Sequence, residues 1–191
     1  MAQQVPRLVV PMRSIFGLNL ADGHLAEKQA KYLYRREGYE VVNATMADQL
    51  RGLDFRVRLH PGPWLTVDVK WDREAWNTRR AFFELVKNTN GGAPGWVYDS
   101  DDDPKSNKLD SRHHRWLYKL PCGWWLFEAS KALKSLDGVF RRTPSSCLGG
   151  RLGLAIGKRN PGYCSIGLCV PFSEMPTLGG EQIWQSIGVR G

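Results

Sequence analysis

The sequence has few cysteines, fewer acidic than basic residues and no long hydrophobic run. No apolar stretch reaches the length that a membrane span requires. Residues 1–20 contain Pro6 and Pro11 and lack the apolar segment of a secretory signal, so we expect a cytoplasmic protein without membrane partners. There is no internal repeat and no low-complexity tract, which disfavours solenoid and fibrous architectures.

The four cysteines form no C-x-x-C pair of the kind that zinc sites use. In a reducing compartment we expect reduced, partly buried thiols. His113 and His114 precede Cys122, which leaves a zinc cluster open as an alternative. The cysteines are Cys122, Cys147, Cys164 and Cys169.

Basic residues dominate the charge of the chain. The 191 residues include 27 Lys and Arg against 19 Asp and Glu, which gives a net charge of +8. This balance favours a polyanionic partner, first of all nucleic acid, over the alternative of a merely basic soluble protein. Hydrophobic residues make up 42% of the chain, as is typical of a globular fold. We divide the chain into an N-terminal arm (1–19), a core (20–137) and a glycine-rich, β-rich C-terminal extension (138–191).

The segment 52–71 has the pattern of a β-hairpin. Apolar and polar residues alternate over 54–59 and 64–71, and a His-Pro-Gly-Pro turn separates the two runs. Because strand side chains repeat every two residues, Asp68 and Lys70 share one face of the second strand. If the strands pair, Asp54 at the head of the first strand lies near Asp68. The pattern therefore predicts two carboxylates and a lysine on one sheet face.

Paired carboxylates suit a hard divalent cation such as Mg²⁺ or Mn²⁺, which prefers oxygen ligands. Such a metal lowers the pKa of a bound water and stabilises charge on a phosphate. A neighbouring lysine can orient the attacking water or stabilise the transition state. The alternative is a hairpin whose charges lie on a solvated face.

Residues 20–37 have the spacing of a helix, with Gly38 just past its end. Glu27 flanks the apolar stripe of this helix, so it can face the edge of the sheet. A short strand is predicted from Tyr39 to Ala44. Asp48, in the connection that follows, is a competing acidic candidate, which we rank below the hairpin carboxylates because it does not head a strand.

Asp54 at the head of one strand, followed by Asp68-x-Lys70 on the next, resembles the motif of the PD-(D/E)xK nuclease superfamily. The similarity is nearest to its Holliday-junction resolvase and phage endonuclease branches and covers residues 20–98. Leu53 stands where the motif has proline, and Asp68 stands where Glu is more frequent. The acidic residue that the family carries on a preceding helix corresponds to Glu27.

The resemblance implies an α/β, restriction-endonuclease-like core: a helix, a mixed central sheet with a catalytic hairpin, and a flanking helix. It implies that Glu27, Asp54, Asp68 and the backbone carbonyl of Val69 hold Mg²⁺ or Mn²⁺. Asp68 and Lys70 are then catalytic, with Lys70 polarising the attacking water. The resemblance also implies a DNA substrate, a 5′-phosphate product, a homodimer and, for a phage-encoded protein, the host cytoplasm.

A further strand is predicted from Ala81 to Val86, with Glu84 inside it. A carboxylate in an apolar strand costs free energy unless it has a partner. Glu84 is therefore predicted to pair with Lys70 or an arginine, or to support the metal site through a water, and we count it among the catalytic residues.

Basic residues in three segments are candidates for contact with the DNA backbone, and for those on the helix the alternative is a solvated face. An acidic run at 99–103 lacks the spacing of an EF-hand, so we expect a solvated turn. The candidate contact residues are Lys28, Arg35, Arg73, Arg79, Arg80, Lys105, Lys108 and Arg112.

Two more elements are predicted before the C-terminal extension. Trp116–Leu120 has the pattern of a strand. Residues 122–137 have the spacing of a second helix. Its predicted core stripe is Leu126, Ala129, Leu133 and Leu136. Beyond residue 138, short apolar runs between glycines predict strands that extend the sheet or form a subdomain.

The sequence thus predicts a metal-dependent DNA endonuclease. An exonuclease of the same chemistry is one alternative, and a non-catalytic nucleic-acid-binding protein on the same fold is the other. The presence of Asp54, Asp68 and Lys70 together disfavours the non-catalytic alternative.

Overall fold

A computed structural model describes residues 12–49, 52–72, 75–88, 93–94, 113–142, 153–160 and 163–185. These residues form a mixed α/β structure with two sheets. The helices are α1 (Met12–Arg36), α2 (Met46–Gln49), α3 (Ala75–Thr78), α4 (Ala129–Arg142) and a 3₁₀ helix (Phe172–Leu178). The strands are β1 (Glu40–Asn43), β2 (Phe55–Arg58), β3 (Leu65–Trp71), β4 (Arg80–Asn88), β5 (Ala93–Pro94), β6 (His114–Leu120), β7 (Gly123–Glu128), β8 (Gly153–Asn160), β9 (Tyr163–Pro171) and β10 (Gly180–Gln185).

The larger sheet has six strands in the order β1-β2-β3-β6-β7-β10. Strands β1, β2 and β3 pair antiparallel in chain order, and β6 then joins β3 in parallel. The chain leaves the sheet between β3 and β6 and contributes β4 to a second sheet with the order β5-β4-β9-β8. Strand β3 of the hairpin is therefore one of the two central strands of the first sheet, and β2 lies between it and the edge strand β1.

Helix α1 covers one face of the six-stranded sheet. Ala26 and Ala30 are fully buried, and the small side chains let the helix approach the strands closely. They pack with Phe55, Val57 and Val67 of the hairpin. The alternation predicted for the hairpin is thus confirmed, because the apolar face of β2 and β3 is the face that α1 buries.

The other face of the sheet packs against α4 and the second sheet. Trp116 and Phe127 from the first sheet contact this layer, together with Phe83 of β4 and Leu168 of β9. Phe83 meets Phe127 edge-on at 5.7 Å between ring centroids. The six-stranded sheet is therefore the central layer, with a core on each side.

The prediction of a helix over residues 122–137 is wrong for the first half of that range. Residues 123–128 form strand β7, and only from Ala129 does the chain become helical. Trp124 packs in the α1 core and Trp125 in the opposite core, so both faces of this strand are apolar. A strand buried on both faces has no alternation, and its pattern resembles that of a buried helix. Gly123, with φ of 138°, closes the tight turn from β6.

Helix α1 begins at Met12, earlier than the predicted residue 20, so part of the expected N-terminal arm is helical. At the other end of the chain, β10 joins the six-stranded sheet beside β7, and β8 and β9 complete the second sheet. Among the described residues no helix is long and apolar enough to cross a membrane.

Candidate active site

Asp54 is fixed against β3 by two backbone contacts. Its amide donates a hydrogen bond to the Val67 carbonyl over 3.0 Å. Its carboxylate oxygen Oδ2 accepts one from the Val69 amide at 2.6 Å. The residue that heads β2 is thereby held beside the middle of β3, as the hairpin pattern predicted.

Asp68 and Lys70 follow on the same face of β3. Lys70 Nζ lies 2.7 Å from Asp68 Oδ2, and the side chains are 24% and 8% exposed respectively. In the parallel pairing with β6, these two residues lie opposite Trp116 and Tyr118. The pair therefore lies on the face of the sheet that looks toward the second sheet, with the lysine more open to solvent than the aspartate.

Negative charge is crowded around Asp54. Burial, together with the neighbouring charge of Asp68, raises the pKa of Asp54 from 3.8 to about 6, against the opposing effects of the Val69 hydrogen bond, Lys70 and Lys31. A carboxylate with so high a pKa is ionised at neutral pH but is strongly destabilised by its surroundings. Such a group is typical of a functional site, although ion-pair networks also produce it.

Glu27 of α1 belongs to the same electrostatic cluster. Burial and the charge of Asp54 raise the pKa of Glu27, and Lys31 and His24 oppose that rise. Glu27 lies 3.6 Å from His24 Nδ1 through Oε1 and 3.9 Å from Lys31 Nζ through Oε2. Charge interactions thus link Glu27 to Asp54, and Asp54 to Asp68 and Lys70, in one electrostatic cluster.

Lys31 is the member of this cluster that the sequence interpretation missed. Its side chain is only 16% exposed, whereas Lys28 and Arg35 on the same helix are exposed. Its ammonium group lies 5.5 Å from the centroid of the buried Phe55 ring. The available signal was its position four residues after Glu27, since residues at that spacing are neighbours on a helix.

Val69 contributes its amide to the site by holding Asp54. The role of its carbonyl as a metal ligand stays a prediction. Strand β3 at this point pairs Val69 with Leu117 of β6.

Glu84 is buried in β4 of the second sheet, opposite Gly167 of β9. Tyr118, the register partner of Lys70, donates a hydrogen bond to the Phe82 carbonyl at 2.9 Å. This contact brings β4 onto the face of the first sheet that carries Lys70. A supporting role for Glu84 remains a prediction.

Thr66 and His114 form a second buried polar pair near Asp68. Thr66 Oγ1 and His114 Nδ1 are 3.0 Å apart, and the two residues are register partners in β3 and β6. Because Thr66 precedes Asp68 by two residues, the pair lies on the same sheet face. No sequence signal indicates this pair, since it depends on the pairing of strands that are distant in the chain.

Asp48, the competing acidic candidate, has a structural role. Its carboxylate accepts a hydrogen bond from the Thr45 amide, and its own amide donates one to the Thr45 hydroxyl oxygen. This reciprocal pattern is that of a capping box. Arg56 Nη2 also donates to both oxygens at 3.0 Å. Burial opposes ionisation of Asp48, but the Thr45 hydrogen bonds and the Arg56 charge outweigh it and lower the pKa.

The predicted DNA contacts are only partly within the described residues. Lys28 and Arg35 are exposed on α1, and Arg79 is exposed just before β4. Arg80 is half-buried at the first position of β4, where it pairs with Pro171 of β9. The candidates that lie outside the described residues are Arg73, Lys105, Lys108 and Arg112. The acidic run at 99–103 also lies outside them.

The zinc alternative does not fit the geometry of β6. His114 begins this strand and Cys122 follows its end. Seven extended residues separate their backbones by roughly 20 Å, far beyond the reach of two ligands of one zinc ion. Cys122 Sγ instead accepts a hydrogen bond from Trp125 Nε1 at 3.4 Å.

The residue types and the negative charge of this site suit a divalent cation. Carboxylate oxygens are suitable ligands for Mg²⁺. Burial, and then the repulsion between neighbouring carboxylates, raises the pKa values of Asp54 and Glu27, and a bound cation would stabilise the ionised form of both groups. Within the described part of the chain, however, no three His, Cys, Asp or Glu side chains are positioned as a ready metal-ligand group.

Comparisons of the chain with protein-family models, with curated proteins and with solved structures found no match.

Proposed function

We propose that this protein is a divalent-metal-dependent endonuclease that hydrolyses phosphodiester bonds in DNA. The observation that carries the proposal is the convergence of Asp54, Asp68 and Lys70 on the hairpin with Glu27 of α1. The raised pKa values of Glu27 and Asp54 and the 2.7 Å contact of Lys70 with Asp68 favour a coupled cluster over a solvated charged face.

The order of elements supports a restriction-endonuclease-like core. Helix α1 is followed by the antiparallel strands β1, β2 and β3, and the parallel strand β6 then makes the sheet mixed. This arrangement is consistent with a helix and a mixed sheet that contains a catalytic hairpin. One departure is the connection between β3 and β6, which carries β4 of the second sheet.

In this proposal Glu27, Asp54 and Asp68 hold Mg²⁺ or Mn²⁺, and the Val69 carbonyl completes the set. When bound, the metal supplies an activated water and stabilises negative charge on the phosphate. The Lys70 side chain lies beside Asp68 and is 24% exposed, so its ammonium group can orient a water toward a phosphate. The hydrogen bond from Val69 keeps the Asp54 carboxylate in place on the sheet face.

The charge distribution supports DNA as the substrate. Lys28 and Arg35 are exposed on the helix that carries Glu27, and the whole chain has a net charge of +8. Exposed cations near the site can contact backbone phosphates without regard to base sequence. Two copies would be needed to cut both strands of a duplex in concert, so a homodimer belongs to the same proposal.

The decisive test is cleavage of labelled linear, nicked, single-stranded and four-way-junction DNA in Mg²⁺, Mn²⁺ or EDTA. We expect metal-dependent cutting by the wild type that falls at least about 100-fold in Lys70→Ala and in Asp68→Ala. Lys134→Ala and Glu37→Gln, which change exposed charges elsewhere, are the controls and should cut normally. Circular substrates separate the endonuclease from an exonuclease, which cannot act without an end.

A non-catalytic nucleic-acid-binding protein is the second candidate. It is favoured by the lack of a ready metal-ligand group among the described residues. This candidate predicts DNA binding that is equal in Mg²⁺ and EDTA and unchanged in Lys70→Ala. No cutting of any DNA or of an RNA control, together with that binding result, would overturn the endonuclease proposal.

A further inference from the structure

Lys31 occupies a position from which it affects two of the proposed metal ligands. Its ammonium group lies 3.9 Å from Glu27 Oε2, and its positive charge lowers the pKa of both Glu27 and Asp54. The other lysine, Lys70, lies 2.7 Å from Asp68 and also lowers the pKa of Asp54. Lys31 is therefore the lysine paired with Glu27, and it shares its effect on Asp54 with Lys70.

The position of Lys31 is restrained from two directions. Its side chain is 16% exposed and crosses the fully buried ring of Phe55, which directly follows Asp54 in the chain. The ion pair with Glu27 joins successive turns of α1. A solvated lysine would swing away from an arriving cation at little cost, but this one is packed between the helix and the hairpin.

A divalent cation at these carboxylates would meet the positive charge of Lys31 at close range. An ammonium group and a metal ion seek the same oxygen atoms, and two cations repel each other most strongly where solvent is partly excluded. In the proposed function Lys70 orients the water, and its side chain is the more exposed of the two lysines, so that role does not require Lys31. Its charge is thus well placed to oppose metal binding.

We propose that Lys31 is an internal counter-cation that competes with the divalent metal for Glu27 and Asp54, and so weakens metal binding. This inference rests on the proposed metal site. It assigns Lys31 a regulatory role: the residue partly neutralises the carboxylate cluster and sets the metal concentration at which the site fills. In this role Lys31 acts through the ligands and does not touch the substrate.

The test is Mn²⁺ binding to the whole chain without DNA, measured by calorimetry and by the loss of the free-Mn²⁺ paramagnetic resonance signal. Lys31→Met keeps the packing on Phe55 but removes the charge, and we expect it to bind Mn²⁺ on the order of ten-fold more tightly than the wild type. Lys31→Arg keeps the charge and should bind as the wild type does. Lys28→Met, an exposed lysine on the same helix, is the control for net charge.

The possible results separate this inference from the proposed function. Unchanged or weaker Mn²⁺ binding in Lys31→Met, with wild-type binding that Asp68→Asn abolishes, overturns the role of Lys31 and leaves the metal site standing. Absence of Mn²⁺ binding in the wild type overturns both. Lys31→Gln is measured in parallel with the same expectation, and thermal melting of each variant shows that it is folded.

Discussion

Asp54→Asn should stabilise the protein while it abolishes cleavage. Burial and Asp68 raise the pKa of Asp54 from 3.8 to about 6. A shift of about two units corresponds to roughly 3 kcal/mol of unfavourable free energy for the ionised carboxylate in the native state. Asparagine carries no charge, and its side-chain oxygen can still accept the hydrogen bond from the Val69 amide. The variant should therefore gain up to about 3 kcal/mol in unfolding free energy at neutral pH.

The stability gained in Asp54→Asn should be present at neutral pH and disappear at low pH. The native state holds the Asp54 proton more tightly than the unfolded chain does, so wild-type stability falls as pH rises from about 4 to about 6. Below that window both states are protonated at Asp54 and the advantage of asparagine disappears. Urea denaturation of the two proteins at about pH 7.5 and about pH 4 measures the difference.

Asp48→Asn is the matched variant, and we expect it to change stability in the opposite direction. The pKa of Asp48 is lowered in the native state, so Asp48→Asn should destabilise the protein at neutral pH. Equal gains for Asp54→Asn at the two pH values, or a loss at neutral pH, would refute the reasoning that a crowded, costly carboxylate lies at this position. A stabilised variant that no longer cuts DNA would show that function maintains this cost.

Three further predictions concern the site and the two cores. The affinity of the metal-free protein for Mn²⁺ should rise with pH as Asp54 ionises near pH 6, and an affinity that is flat between about pH 5 and 8 would contradict its role as a ligand. Phe83→Ala, which empties a fully buried ring position, should lower the unfolding free energy by about 3–5 kcal/mol in urea denaturation, and a loss under about 1 kcal/mol would contradict the described packing. Gly123→Ala should lower the melting temperature more than Gly38→Ala, because its Cβ would lie 2.3 Å from the Trp184 carbonyl oxygen whereas nothing lies within 4 Å at Gly38. Equal effects of the two alanines would show that backbone strain alone decides both positions.

The hairpin shows how far local pattern reaches. Alternation places Asp68 and Lys70 on one face and the apolar residues on the other, and the structure has both faces as expected. The same pattern puts Asp54 at the head of its partner strand. These relations depend only on the two-residue period of a strand and on a short turn, so neighbouring residues contain all the information.

Strand β7 and the Thr66–His114 pair show where local pattern ends. Trp124 and Trp125 are buried on opposite faces of β7, which removes the alternation that identifies a strand. Thr66 meets His114 only because β3 and β6 pair in parallel across a long connection. Glu84 likewise lies in a second sheet whose pairing with β9 no nearby residue specifies.

By itself the sequence determined which side chains share a face, which residue types could bind a cation and that the chain is basic. Only the tertiary structure decided which faces meet. It placed Glu27 near Asp54, buried Lys31 against Phe55 and separated Asp48 from the cluster by pairing it with Arg56. The physical reason is that side-chain alternation is a property of one strand, whereas burial and the electrostatic coupling of carboxylates depend on what packs against it.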